Sequence, residues 1–257
     1  MPEIILSTQA LTHDFGAFRA VDNVSINIQK GSITGLIGPN GAGKSTLFNL
    51  LTGTFKPTSG AVFLDGIAVT GKAPDELFCL GLARTFQIPR PFARMSVLEN
   101  VMMAPLAQVG ERILGPFLKR ASVREQEARI RDRALQVLEF VTLSPHADHP
   151  AGKISGGQMK LLELARVLMS DPDVILLDEP AAGVNPSLTR TLIEKIEQLN
   201  GEGTTFVIIE HDMDFVMEHC DPIIALAEGQ VVFEGTAKEA QDNPLLIDAY
   251  LGVGVDG

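Results

Sequence analysis

The stretch Ile33-Thr34-Gly35-Leu36-Ile37-Gly38-Pro39-Asn40-Gly41-Ala42-Gly43-Lys44-Ser45-Thr46 decides how the rest of the sequence is read. Its first residues form an apolar run, the pattern of a strand buried on both faces. The run passes into the spacing G-x-x-x-x-G-K-[ST], and residues 46–51 read as the start of a helix. Glycines let the backbone curl into a nest of N–H donors, and the helix behind it turns its positive dipole end to the same point. Strand, loop and helix in this order are the context in which the pattern binds phosphate. In that setting Lys44 would reach the β- and γ-phosphates of a nucleoside triphosphate, and the Ser45 hydroxyl would ligate Mg2+.

A second apolar strand, Val174-Ile175-Leu176-Leu177, ends in two carboxylates, Asp178 and Glu179. Asp178 at the strand end suits the Mg2+ shell, where hard oxygen ligands are preferred. Glu179 can polarise a water in line with the γ-phosphate. Further buried strands are expected at 206–209 and 223–226, separated by helical stretches at 186–199 and 213–219. This alternation predicts a parallel α/β sheet. Near the N-terminus, Val24, Ile26 and Ile28 alternate as in a half-wet sheet. Between about 90 and 165 the apolar residues recur at helical spacing, as in Ile130, Ala134, Val137, Leu138 and Val141, and predict a helical subdomain. Residues 104–122 read as a broken helical excursion, 123–141 as a charged helix, and 238–241 and 245–251 as short helices.

Composition bounds the partners. The chain has 257 residues, with 21 Lys+Arg against 32 Asp+Glu and a formal net charge of −11. An acidic balance argues against a broad electrostatic grip on nucleic acid. It leaves room for a small phosphate ligand held by backbone groups. No apolar run approaches the roughly 20 residues needed to span a bilayer, and no basic segment followed by an apolar core marks a signal peptide. Cys79 and Cys220 lack metal-ligand spacing and are expected to be buried small side chains.

The remaining motifs resemble those of the ATP-binding cassette (ABC) ATPases. Ile154-Ser155-Gly156-Gly157-Gln158 resembles that family's LSGGQ signature, with Ile at its first position. Gln87, in Arg84-Thr85-Phe86-Gln87, resembles the Q-loop, and His211, in Ile209-Glu210-His211-Asp212, resembles the switch histidine. Ala182-Gly183-Val184-Asn185 sits where the D-loop belongs, with Asn185 in place of the usual Asp. Phe15 stands where an aromatic, more often Tyr, stacks on adenine. The resemblance implies a P-loop NTPase cassette with an antiparallel β region, a parallel-sheet core and a helical subdomain. The whole of 1–257 then forms one ATPase domain: a RecA-like and β core at 1–90 and 165–235, a helical subdomain at 91–164, and C-terminal helices at 236–257. It further implies ATP bound by Phe15, the loop Gly38–Thr46 and, from a second cassette, Ser155, Gly156, Gly157 and Gln158. Mg2+ would be held by Ser45, Gln87 and Asp178, and catalysis carried by Glu179, His211 and Gln87.

Finer strings, including Met95-Ser96-Val97-Leu98-Glu99-Asn100-Val101 and Ala249-Tyr250-Leu251-Gly252, are similar to the larger of the two ATPase subunits of branched-chain amino-acid importers. By that resemblance the chain pairs head to tail with a second cassette, identical or not. It would dock on separate permease subunits at the cytoplasmic face of the membrane and serve a binding protein only indirectly. The segment after Gln87, with Pro89, Arg90, Pro91, Phe92 and Met95, is the candidate groove for a permease helix. Urea or amide importers and a lipopolysaccharide exporter share the pattern. A soluble ABC protein acting on nucleic acid or ribosomes is the reading from a different class.

Overall fold

Strand β4, Ile33–Ile37, lies at the middle of a six-stranded sheet and organises the chain around it. The structure, a computed structural model, describes residues 3–85, 90–105, 120–243 and 246. Two units are distinguished: Met1–Gln87 with Asp173–Ala181 and Ile196–Gly257, and Ile88–Pro172 with Ala182–Lys195.

In the first unit, β1 (Ile4–Phe15), β2 (Phe18–Val24), β3 (Asn27–Gln29), β5 (Ser59–Leu64) and β6 (Ile67–Ala68) form an antiparallel sheet centred on β1. The alternation Val24, Ile26, Ile28 is buried as its pattern predicts, yet it spans a break between two strands. The Thr8 hydroxyl fills that break, donating to the Val24 carbonyl and accepting the Ile26 amide. The second sheet runs β11-β10-β4-β9-β8-β7, with β7 (Leu82–Arg84), β8 (Val174–Asp178), β9 (Thr205–Ile209) and β10 (Ile223–Ala227) parallel to β4. Strand β11 (Gln230–Gly235) closes one edge antiparallel. Every residue of β8 and β9 is buried, which is why both read as unbroken apolar runs. Helix α1 (Lys44–Leu51) adds Leu47, Phe48, Leu50 and Leu51 to a core shared by residues of both sheets. Helix α2 (Pro74–Cys79) buries Leu77 and leaves Cys79 exposed, so the expectation of two buried cysteines holds for Cys220 alone.

The second unit is helical: α3 (Val97–Met102), α4 (Arg120–Phe140), α5 (Gly156–Leu168) and the first part of α6 (Pro186–Gly201). Ala134, Val137 and Leu138 form the buried stripe of α4, continued by buried Val141 just past its end, at the spacing seen in the sequence. Helix α5 runs unbroken across position 164, because Ser155 caps its start and its apolar stripe continues to Leu168. Helices α7 (Met213–His219) and α8 (Ala237–Gln241) follow in the first unit. Most of the 104–122 excursion and the helix expected at 245–251 lie outside the described residues.

Candidate active site

Three neighbouring parallel strands end together at one edge of the large sheet. Leu36 of β4 and Asp178 of β8 both pair with Ile209 of β9, so the strand ends are level. The chain leaves β4 into the glycine loop, β8 into Glu179, and β9 into Glu210 and His211. The carboxyl edge of a parallel sheet is where such folds collect ligand-binding loops.

The loop is shaped by close backbone approach. Gly43 has φ +100°, and a Cβ there would lie 2.4 Å from the Ala20 carbonyl oxygen, so any other residue would displace β2. Lys44 is buried, and its Nζ donates to the carbonyls of Gly38 at 2.6 Å and Pro39 at 3.0 Å. Burial pushes the ammonium below the usual lysine range, while the charges of Glu179 and Asp178 act in the opposite direction. A cation with acceptors already in place is suited to an anion delivered by a ligand. Ser45 is exposed beside it in the first turn of α1.

Asp178 is buried and its Oδ2 accepts from Arg84 Nη2 at 2.7 Å. The same guanidinium donates to Asn49 Oδ1 at 2.6 Å and lies 5.6 Å from the centre of the Phe48 ring. Nothing local in the sequence marks Arg84 for this contact, because its partner lies 94 positions away. Arg84→Met strands the Asp178 charge and is expected to lower unfolding stability by about 3–5 kcal/mol, read from the denaturation midpoint without nucleotide. An unchanged midpoint would show that the pair adds nothing. Ser45 and Asp178 offer hard oxygen donors. Among the described residues no group of three or more His, Cys, Asp or Glu could hold a metal. That donor set fits a cation that takes its other ligands from phosphate and water.

Glu179 has φ +48°, a left-handed conformation rare for a residue with a side chain and often found at functional sites. Its Oε1 lies 3.0 Å from His211 Nε2. A carboxylate only accepts, so Nε2 carries the proton. The Glu179 amide donates to the Ile209 carbonyl at 2.9 Å. Glu210, which no motif marks, is buried and accepts from the Ala181 amide at 2.7 Å and the His211 amide at 3.3 Å. A carboxylate directly after a fully buried strand was the available signal. Burial first, and the Glu210 charge second, push the nearby Cys220 thiol up to about 12.

Phe15 is half exposed at the end of β1, with its ring perpendicular to both His13 and Phe55, which stack on each other at 5.5 Å. It thus presents a supported π-face. In the second unit, Ser155 accepts from the Gln158 amide and Gln158 Oε1 accepts from the Ser155 amide, a reciprocal cap on α5. Gly157 packs so tightly that a Cβ would fall 2.7 Å from Leu188 Cδ1, whereas Gly156 faces open space. Asn185 uses its side-chain oxygen to accept the Leu188 amide at the start of α6. Gln87 and Pro89 lie outside the described residues. Lys44, Asp178, Glu179 and His211 therefore meet in the first unit, and Ser155 to Gln158 belong to the second.

A family model described as ABC transporter matches residues 21–182. The chain is 42% identical over 248 residues to the probable branched-chain amino acid transport ATP-binding protein LivG of Archaeoglobus fulgidus, covering 96% of this chain and 95% of that protein. Among solved structures, it is similar to the ADP conformation of an ATP-binding cassette of an ABC transporter, with a TM-score of 0.82 and 39% identity over 97% of this chain and 99% of that one. A dimeric structure of a bacterial ABC transporter cassette gives a TM-score of 0.74 at 28% identity, covering 91% of this chain and 99% of that one.

Proposed function

Because the chain belongs to the ABC transporter family of ATP-binding cassettes, we propose that it is the ATP-hydrolysing subunit of an importer for branched-chain amino acids or related compounds. The observation that carries the hydrolytic part is the level alignment of the glycine loop, Asp178-Glu179 and His211 at one sheet edge. The substrate class rests on the likeness to the LivG protein, over nearly the full length of both chains.

The chemistry follows from the positions of the side chains. Amides of the glycine loop and the start of α1 cradle the phosphates, and Lys44 turns its ammonium to the β- and γ-oxygens. Phe15 offers its face to the adenine. Ser45, Asp178 and Gln87 would hold a Mg2+ ion, whose charge would offset that of the phosphates. Glu179 orients the attacking water and accepts its proton. His211 holds Glu179 through Nε2 and meets the γ-phosphate. Positioning and electrostatics carry most of such a phosphoryl transfer.

A second cassette, identical or different, completes each ATP site by bringing its signature loop to the γ-phosphate, so closure depends on ATP and reopening on hydrolysis. The dimeric form of a related cassette supports this arrangement. Among the described residues no helix is long and apolar enough to cross a membrane. Separate permease subunits supply the path, with this chain peripheral at the cytoplasmic face and a substrate-binding protein acting from the other side.

The loop that includes Phe92 is the proposed permease contact. Buried Asn100 holds it, accepting the Phe92 amide and donating to the Phe92 and Ser96 carbonyls, and Phe92 stays half exposed. Phe92→Asp places a charge on that apolar face and is expected to reduce recovery of permeases in a membrane pull-down by about tenfold. Assembly untouched by the substitution would remove Phe92 from the contact. Co-purification from membranes, with identification of the attached permeases, tests the whole reading. Recovery without any permease would overturn it.

A further inference from the structure

We infer that Glu210 is a positioning residue for ATP hydrolysis, clamping the chain on both sides of the Glu179–His211 pair. The inference rests on the roles given above to those two residues. The ladder between β8 and β9 ends where the Glu179 amide meets the Ile209 carbonyl at 2.9 Å. Beyond it the two chains must separate to let the side chains of Glu179 and His211 face each other. Glu179 is held there at φ +48°, a backbone conformation that persists only where its surroundings enforce it.

Pro180 has no amide hydrogen to help. The next amide, that of Ala181, donates to Glu210 Oε1 at 2.7 Å, and the His211 amide donates to the other oxygen at 3.3 Å. One side chain therefore replaces the missing ladder, tying the segment after Glu179 to the residue that Glu179 faces. A carboxylate suits this place because two N–H groups converge on it and it accepts at both oxygens. A glutamine accepts at one and sets its own N–H2 against the other donor. With Glu210 only 5% exposed, water cannot easily substitute. The clamp fixes the 3.0 Å separation of Glu179 Oε1 and His211 Nε2 without touching nucleotide.

The test uses the full-length chain with Glu210→Gln, Glu210→Ala, Glu179→Gln and the double variant Glu179→Gln/Glu210→Gln. Glu210→Gln is expected to lower kcat for ATP about tenfold, the worth of one hydrogen bond to a charged group. Glu210→Ala should lower it on the order of a hundredfold, through misplacement of Glu179. KM for ATP stays within about twofold, because the residues that bind nucleotide are untouched. The melting temperature of Glu210→Gln reports that the fold is kept. In the Glu179→Gln background, adding Glu210→Gln should cost nothing further, since the group it positions is already disabled. Unchanged kcat in both single variants overturns the clamp, and so does a loss that multiplies fully with Glu179→Gln. If Glu179→Gln itself turns over like the unsubstituted chain, the role of Glu179 falls and this inference with it. If Glu179→Gln is inactive while the Glu210 variants are not, only the clamp falls.

Discussion

Glu179→Gln is expected to lower steady ATP turnover by about a thousandfold, within the range contributed by a general base, while ATP binding survives. The substitution is close to isosteric. Its amide oxygen still accepts from His211 Nε2, so the 3.0 Å contact and the left-handed backbone at position 179 are kept. What disappears is the negative oxygen that accepts a proton from water as it attacks. Binding depends on other groups, the amides of the glycine loop and Lys44, which follow a different strand, β4, and are unaltered. The variant should therefore hold ATP, and the ATP-closed dimer proposed above should accumulate because the step that opens it is blocked. Gel filtration with and without ATP, beside a phosphate-release assay, reads both halves. Steady hydrolysis within about tenfold of the unsubstituted chain would remove Glu179 from the base role, as a tenfold loss is no more than one hydrogen bond to a charged group is worth.

The parts of this site that can be read from sequence are those made within one short segment. Ile33 to Thr46 carries its strand, turn and helix signals side by side, and Val174 to Glu179 carries a buried strand with its polar end. Ser155 and Gln158 stand three apart, so their reciprocal cap is written in the spacing itself. Arg84 and Glu210 differ in kind. Each gains its meaning from a partner on another strand, Asp178 for Arg84 and Ala181 for Glu210, and strand order is a long-range property that local periodicity does not encode. The same reason explains β11, whose half-exposed alternation is weak by itself and becomes a strand only by pairing with β10. Asn185 shows the converse. It stands in place of the family's Asp, and its side-chain oxygen caps α6 by accepting the Leu188 amide three positions on, a local task that needs no charge.

Lys44→Ala should remove measurable ATP affinity, a loss of at least about a hundredfold, since a hydrogen-bonded charge pair truncated at one partner costs 2–5 kcal/mol or more. The stability of the ligand-free chain should hardly change, and this contrast is what makes the prediction specific. Burial disfavours the ammonium and pushes its pKa below the usual lysine range, with the Glu179 and Asp178 charges only opposing that effect. Its two hydrogen bonds, to the Gly38 and Pro39 carbonyls, offset part of the cost. Truncation removes the buried charge together with those bonds, so the terms oppose each other in the folded chain. With phosphate present they no longer do, because the ammonium faces an anion in a site of low dielectric and its desolvation is compensated. The buried lysine is thus close to neutral for the empty chain and acquires its worth only with the ligand. Melting curves with and without ATP separate the two effects: the unsubstituted chain should gain stability with ligand concentration by mass action, and the variant should melt at one temperature throughout. A variant whose melting temperature still rises with ATP as steeply as before would show that the loop amides bind the phosphates without Lys44.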